Sequence, residues 1–294
     1  MRLKGIIPPL LTPFKGNGVV DFDRIPLLVE FMKPYVEGFF ICGSYGSGAL
    51  MNVDERKKVF EIVSECTSDQ YQLVAHIGTT NQRDSLLLAE HAEKHHALAV
   101  SAVPPFYFHH DEETLFQYFR DLINAVSIPV YLYDNPGASG NQVSLGLINR
   151  LAEIGLNGVK DSTFDISKTY MIMRQVHKKG FDVVIGSESL LLPAFIMGAQ
   201  ACISGLANVL PELMSKLYEA ARSNDFIVAK DLQTKVLKMW DILHFGPSIT
   251  TAHAMLKSRG IDAGYPRRPM IPLEKEVYTK VEIAMHETQS IWYI

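Results

Sequence analysis

The stretch Gly155-Leu156-Asn157-Gly158-Val159-Lys160-Asp161-Ser162-Thr163 holds a short apolar run that ends on one amine and passes at once into small polar residues. That pattern predicts a strand running into a loop. A lysine held there, with its charge disfavoured by apolar walls, loses its proton and becomes a nucleophile toward a carbonyl carbon. An unperturbed lysine is neutral in only about one part in several thousand at pH 7, so burial must supply much of the activation. Taken alone, the stretch fits better a strand-end lysine whose ammonium reaches solvent.

Outward from Lys160, similar short apolar runs recur at Gly5–Leu10, Gly38–Gly43, Gln72–Gly78, Ala97–Val103, Ile128–Tyr133, Asp182–Gly186 and Ala201–Ile203, which with Gly158–Lys160 makes eight. Between them the apolar period is helical, at Ile25–Tyr35, Val53–Cys66, Asp84–Lys94, Glu113–Ala125, Leu145–Ile154, Ser167–His177 and Ser189–Met197. Asp23, Asn52 with Glu55 three residues on, and Ser144 stand where helix caps belong. The repeat of about 20 to 35 residues per unit suits right-handed crossovers around a parallel sheet. Eight units predict an α/β fold of the (β/α)8 TIM barrel type. A doubly wound open sheet is the alternative, since alternation does not itself show closure. After the last strand, Pro211–Ser223, Phe226–Leu243, Ser248–Ser258 and Pro272–Glu287 read as helices with no strand between them. The expected division is a barrel over residues 1–208 and C-terminal helices over 209–294, packed as one structural unit.

Composition narrows the function. The 294 residues carry a net charge of −4, with cations scattered, so no footprint for nucleic acid is visible and a small-molecule partner is expected. Cys42, Cys66 and Cys202 are too few and too far apart for a disulfide framework or a CxxC metal site, which points to a reduced, cytoplasmic protein. The opening MRLKGIIPPLLTPFKG lacks a signal-peptide cleavage pattern, and no apolar run approaches the ~20 residues of a membrane span.

In a barrel of this type chemistry sits at the C-terminal strand ends. After the second run comes Gly43-Ser44-Tyr45-Gly46-Ser47-Gly48, whose amides can cradle a carboxylate or phosphate and whose Ser44 and Ser47 add hydroxyls. It is not a Walker loop, and an ordinary glycine-rich turn is the plain alternative. After the fourth run the aromatic loop Val103-Pro-Pro-Phe-Tyr107-Phe-His-His110 suits a pocket or an interface. Tyr131 and Tyr133 share one face of the fifth strand, where a phenol relays protons or simply packs. His91 and His95 stand at i and i+4 with His96 beside them, but the HExxH pattern is absent and a solvated helix face is expected. No Ser-His-Asp arrangement can be read from spacing.

Together these motifs resemble the dihydrodipicolinate synthase and N-acetylneuraminate lyase superfamily of Schiff-base-forming class I aldolases, over nearly the whole chain. GIIPPLLTPF resembles the family's first strand, GSYGSGALMNVDER its GxTGE loop and helix start, PPFY its aromatic loop, YDNP its YNxP motif and GVKDST its lysine strand. Tyr133 and Lys160 lie 27 positions apart, as the family signature requires. The resemblance implies a homotetramer built as a dimer of dimers, with neither metal nor organic cofactor. It implies that Lys160 attacks the 2-oxo carbon of pyruvate or a longer 2-oxo acid, that Tyr133 moves protons, and that Ser44 links Tyr133 to Tyr107, the latter from a neighbouring subunit. The amides of Ser44 and Tyr45 would hold the carboxylate, and Gly186 and Ile203 would line the pocket.

Four positions depart from the family pattern. Tyr45 and Ser47 replace the usual Thr and Glu of the loop, and Ala138 replaces the arginine that recruits an aldehyde carboxylate in dihydrodipicolinate synthases. In Gly186-Ser187-Glu188-Ser189, Glu188 survives from the sialic-acid lyase pocket while Ser189 replaces its second acid. The expected activity is a pyruvate-dependent lyase acting on a hydroxylated 2-oxo acid such as a 2-keto-3-deoxy sugar acid. The alternatives are a dihydrodipicolinate synthase-type condensation, a 2-oxo-acid dehydratase, and a non-catalytic 2-oxo-acid-binding barrel.

Overall fold

Eight short strands, β1 (Gly5–Ile6), β2 (Gly38–Ile41), β3 (Gln72–His76), β4 (Ala99–Ala102), β5 (Val130–Asp134), β6 (Gly158–Asp161), β7 (Asp182–Ile185) and β8 (Ala201–Cys202), form one sheet in the computed structural model, which describes residues 2–292. All pairings are parallel, and the order β1-β8-β7-β6-β5-β4-β3-β2 leaves only β1 and β2 to meet. They meet at the end of β1, where the Ile6 carbonyl accepts from the Glu37 N–H at 3.0 Å, and just beyond it. Pro9 bridges Phe40, the Phe40 N–H donates to the Pro8 carbonyl at 2.9 Å, and the Leu10 N–H donates to the Phe40 carbonyl at 3.0 Å. The sheet thus closes into the (β/α)8 barrel and the open-sheet alternative falls away.

Strand alternation sorts the side chains into two cores. Phe40, Val74, Tyr131, Tyr133, Val184, Ala201 and Ile203 pack together along the inside, while their neighbours Phe39, Leu73, Leu132, Val183 and Cys202 face the helices. Every strand is buried, as a parallel sheet covered on its outer face requires.

The crossover helices follow the periodicity closely. Val53–Cys66 and Leu145–Ile154 have the expected bounds, and the others are Ile25–Met32, Gln82–Lys94, Glu112–Ala125, Ile166–Gln175 and Leu191–Ile196. Asn52 and Glu55 form a reciprocal capping box, and Ser144 Oγ accepts from the Leu147 N–H at 3.0 Å. Asp23 caps nothing. A short 3-10 turn, Phe22–Arg24, runs straight into the helix, so there is no extended residue from which a side chain can cap, and Asp21 instead holds Arg24 at 2.8 Å.

After β8, Pro211–Arg222 packs against β1 as the eighth barrel helix, followed by Phe226–Leu243, Ser248–Ser258 and Lys275–Glu287. Arg259 fastens this part to the barrel. Its guanidinium pairs with buried Glu212 at 2.7 Å, donates to the Val209 carbonyl, and lies over the rings of Phe31 and Trp292. Among the described residues no helix is long and apolar enough to cross a membrane.

Candidate active site

Lys160 and Tyr133 are partners in register on β6 and β5, so alternation turns both side chains to the barrel interior near its C-terminal mouth. Lys160 is only 4% exposed. Its Nζ stands 3.5 Å from the centroid of the Tyr133 ring and 4.6 Å from that of Phe40. Burial pushes the amine below the ordinary lysine range, against the opposing pull of Tyr133, Cys202 and Glu188. Burial alone would raise the Tyr133 phenol, but the adjacent Lys160 charge and the hydrogen bonds around its hydroxyl outweigh it, and the net direction is down. The pair shares a proton economy: each group eases the other's ionisation.

The Tyr133 hydroxyl meets Ser44 Oγ at 3.4 Å, and Asn135 Nδ2 donates to it at 3.1 Å. Asn135 is itself fixed, because its Oδ1 accepts from the Ala138 N–H at 3.2 Å and caps the turn Pro136–Ser139. Ser44 is exposed at the mouth, and among the described residues neither its N–H nor that of Tyr45 donates to a protein acceptor. Two free donors beside a buried amine suit the carboxylate of a 2-oxo acid.

Tyr45 reaches toward the C-terminal helices. Its ring lies over Gly205, where a Cβ would come within 2.0 Å of Tyr45 Cζ, and its hydroxyl meets Ser248 of the C-terminal helices. Burial and nearby Glu188 raise its phenol. Ser47 is buried in the loop in a left-handed conformation, φ 55°. Glu188 is buried, accepts from the Leu206 N–H at 3.0 Å, and is held up toward its neutral form by desolvation. Gly186 directly follows β7, where a Cβ would strike Ser162 Oγ at 2.0 Å, and Ile203 closes the interior layer beside Ala201. Ala138 is exposed in its turn beyond β5.

Tyr107 stands apart. It is 86% exposed with φ 84°, and its ring touches Phe108 at a centroid distance of 4.9 Å. Within this chain it reaches neither Ser44 nor Tyr133. Tyr131 also does other work, donating to Asp182 at 3.1 Å two residues down β5, toward the strand's N-terminal end.

Sequence reasoning missed the back wall. His76, on β3, packs edge-on against Tyr133 and tilts against Phe40, with centroids 5.8 Å away in each case. It is buried and far below the ordinary histidine range, first by desolvation and then by the Arg56 and Lys160 charges, so it contributes a neutral ring. Arg56 supports it from the helix Val53–Cys66, donating to the carbonyls of His76 and Gly78. Nothing in local sequence marks this contact, which exists only once β3 lies two strands from β5. Asn135 was more accessible: an Asn before a Pro at a strand end is a cap signal.

The loop carrying Lys160 onward is pinned outside the barrel. Asp161 accepts from the Thr163 N–H and hydroxyl at 2.9 and 2.7 Å and from Thr169 Oγ1 at 2.6 Å. Asp134 is fully buried and pairs with Lys168 Nζ at 2.6 Å.

A model of the dihydrodipicolinate synthetase family matches residues 2–288. The chain belongs to this family. Family kinship extends to a 4-hydroxy-tetrahydrodipicolinate synthase of Archaeoglobus fulgidus, 28% identical with 98% of this chain and 99% of that protein covered. An N-acetylneuraminate lyase of Rhizobium meliloti is 29% identical, covering 94% of this chain and 92% of its own. The crystal structure of a dihydrodipicolinate synthase from Bacillus anthracis superposes with a TM-score of 0.92 at 27% identity, over 97% of this chain and 99% of that one. As a dihydrodipicolinate synthetase family member, the protein is a carbon–carbon lyase of the Schiff-base aldolase type.

Proposed function

We propose that the protein is a class I pyruvate-dependent aldolase that cleaves or forms a 2-oxo acid through an imine on Lys160, with a 2-keto-3-deoxy sugar acid as the preferred substrate class. The observation that carries this reading is the buried Lys160 amine against Tyr133, with Ser44 bonded to the same phenol. The neutral amine attacks the 2-oxo carbon, forming a C–N bond, while Tyr133 gives the carbonyl oxygen one proton, takes one from the attached nitrogen and passes it to the new hydroxyl, which leaves as water. The resulting iminium draws electrons from C3, so the C3–C4 bond breaks as the C4 hydroxyl gives its proton to the Tyr133 phenolate. The amides of Ser44 and Tyr45 hold the carboxylate, and Gly186 and Ile203 bound the pyruvyl end. Glu188 and the exposed position of Ala138 face the far half of the substrate.

A dihydrodipicolinate synthase-type condensation is the second reading, favoured by the Archaeoglobus relative. Against it, Ala138 offers no guanidinium to an aldehyde carboxylate. The exposed Tyr107 supports an assembly in which one subunit lends this phenol to the Ser44 of another, within a homotetramer. The three cysteines are unpaired, in keeping with a reducing, cytoplasmic setting.

Incubation with pyruvate and borohydride, followed by peptide mass analysis, should leave a reduced pyruvyl adduct on Lys160. An unmodified Lys160 would overturn the imine mechanism. An adduct without release of pyruvate from any sugar acid, and without condensation, would instead support a binding barrel.

A further inference from the structure

The histidines at the end of the helix Gln82–Lys94 take no part in the chemistry at the barrel mouth, and their sequence pattern gives only a solvated face. The fold brings a carboxylate to two of them. His91 and His95, one turn apart, stack their rings with centroids 4.3 Å apart, and Glu61 of the helix Val53–Cys66 places Oε1 3.0 Å from His91 Nε2. One donor atom from each of the three lies within 4.8 Å of the others.

We infer that Glu61, His91 and His95 form a binding site for one divalent transition-metal ion of borderline softness, zinc foremost. Two imidazoles and a carboxylate are a zinc donor set that leaves a fourth position for water, whereas magnesium and calcium prefer oxygen alone. Bonds of about 2.0–2.2 Å require donor atoms to stand about 3.3 Å apart around a tetrahedral ion. Glu61 and His91 already do, while half-buried His95, stacked on His91 at 28°, must turn out of that stack to bring a ring nitrogen to the ion. Two of the three donors are held before any ion arrives. Lys58 holds the second Glu61 oxygen at 3.2 Å and leaves Oε1 for the site, while Phe60 packs edge-on to the His91 ring at 6.5 Å. Such outer partners normally fix ligand orientation in metal sites. His96 is exposed with φ 64° and lies outside the trio. Because the ligands come from both helices, a bound ion clamps the pair that flanks β3, and binding to the folded state alone raises its stability.

The test is titration of the chelator-stripped full-length protein with zinc in a calorimeter, and with cobalt in the visible spectrum. The expected result is one zinc per chain, a higher thermal midpoint with zinc, and cobalt bands of a low-coordinate N/O site. His91→Ala and His95→Gln should each weaken binding at least ~100-fold. His95→Gln keeps size and polarity, so it decides the matter if His91→Ala does not fold. Cys66→Ser should change nothing. Absence of zinc binding in the wild type, binding that survives both histidine substitutions, or binding lost in Cys66→Ser would each overturn the assignment.

Discussion

At the residue scale, Lys160 carries two opposite obligations. Its depressed pKa makes the amine reactive, and the same desolvation costs folding stability. The sign follows directly: below its folded pKa an ammonium must be kept in the interior, whereas the unfolded chain hydrates it, so the cost is present at neutral pH and is relieved as pH rises. Lys160→Met is therefore expected to raise the thermal midpoint, by an amount equivalent to about 1 kcal/mol or more, while abolishing the borohydride adduct. A lowered midpoint would mean that the Nζ contacts with Tyr133 and Phe40 outweigh desolvation. Lys160 and Tyr133 were legible as residues because each ends a readable strand. Their mutual distance was not, since register between β5 and β6 sets it.

At the element scale, strands and helices followed period and caps, because in a parallel barrel every strand is buried and every helix has one apolar face. What local patterns missed were features that depend on a distant partner. Asp23 looks like a cap until the 3-10 turn beside it occupies the same residues, and the His76 ring meets Tyr133 only once the barrel has closed. The capping box at Asn52 shows how an element signal gains a tertiary role: Glu55 also pairs with Arg267 at 2.7 Å, joining the helix start to the C-terminal segment. Asn52→Ala should lower unfolding stability by about 0.5–2 kcal/mol in denaturant titration. If it also loosens the segment around Arg267, amide exchange there should rise in the same variant.

For the whole molecule, the C-terminal helices bring buried groups with their own pH signature. His253, on Ser248–Ser258, is held by burial down to a pKa of about 4, from an ordinary 6.5. Because the folded pKa is depressed, its neutral form favours folding above the unfolded pKa, and that stability is lost as pH falls from about 6.5 toward 4. The loss amounts to about 3 kcal/mol at most. Raised carboxyls at Asp134, Asp182 and Glu188 act in the opposite direction, so the informative quantity is a difference. His253→Asn should flatten the acid limb of the stability profile relative to wild type; parallel profiles would show that His253 protonates without unfolding.

The closure between β1 and β2 has a consequence of a different kind. It rests on a bridge at Pro9 and on the amides of Glu37, Phe40 and Leu10, since neither Pro8 nor Pro9 has an N–H to give. β5 and β6 register at four residue pairs against one bridge at this seam, so deuterium should enter Phe40 and Leu10 before it enters β5 or β6. Ser44 follows β2 by three residues, which makes the carboxylate loop an extension of that seam. Pyruvate should then act as a latch, and isotope uptake at Phe40 would slow in its presence.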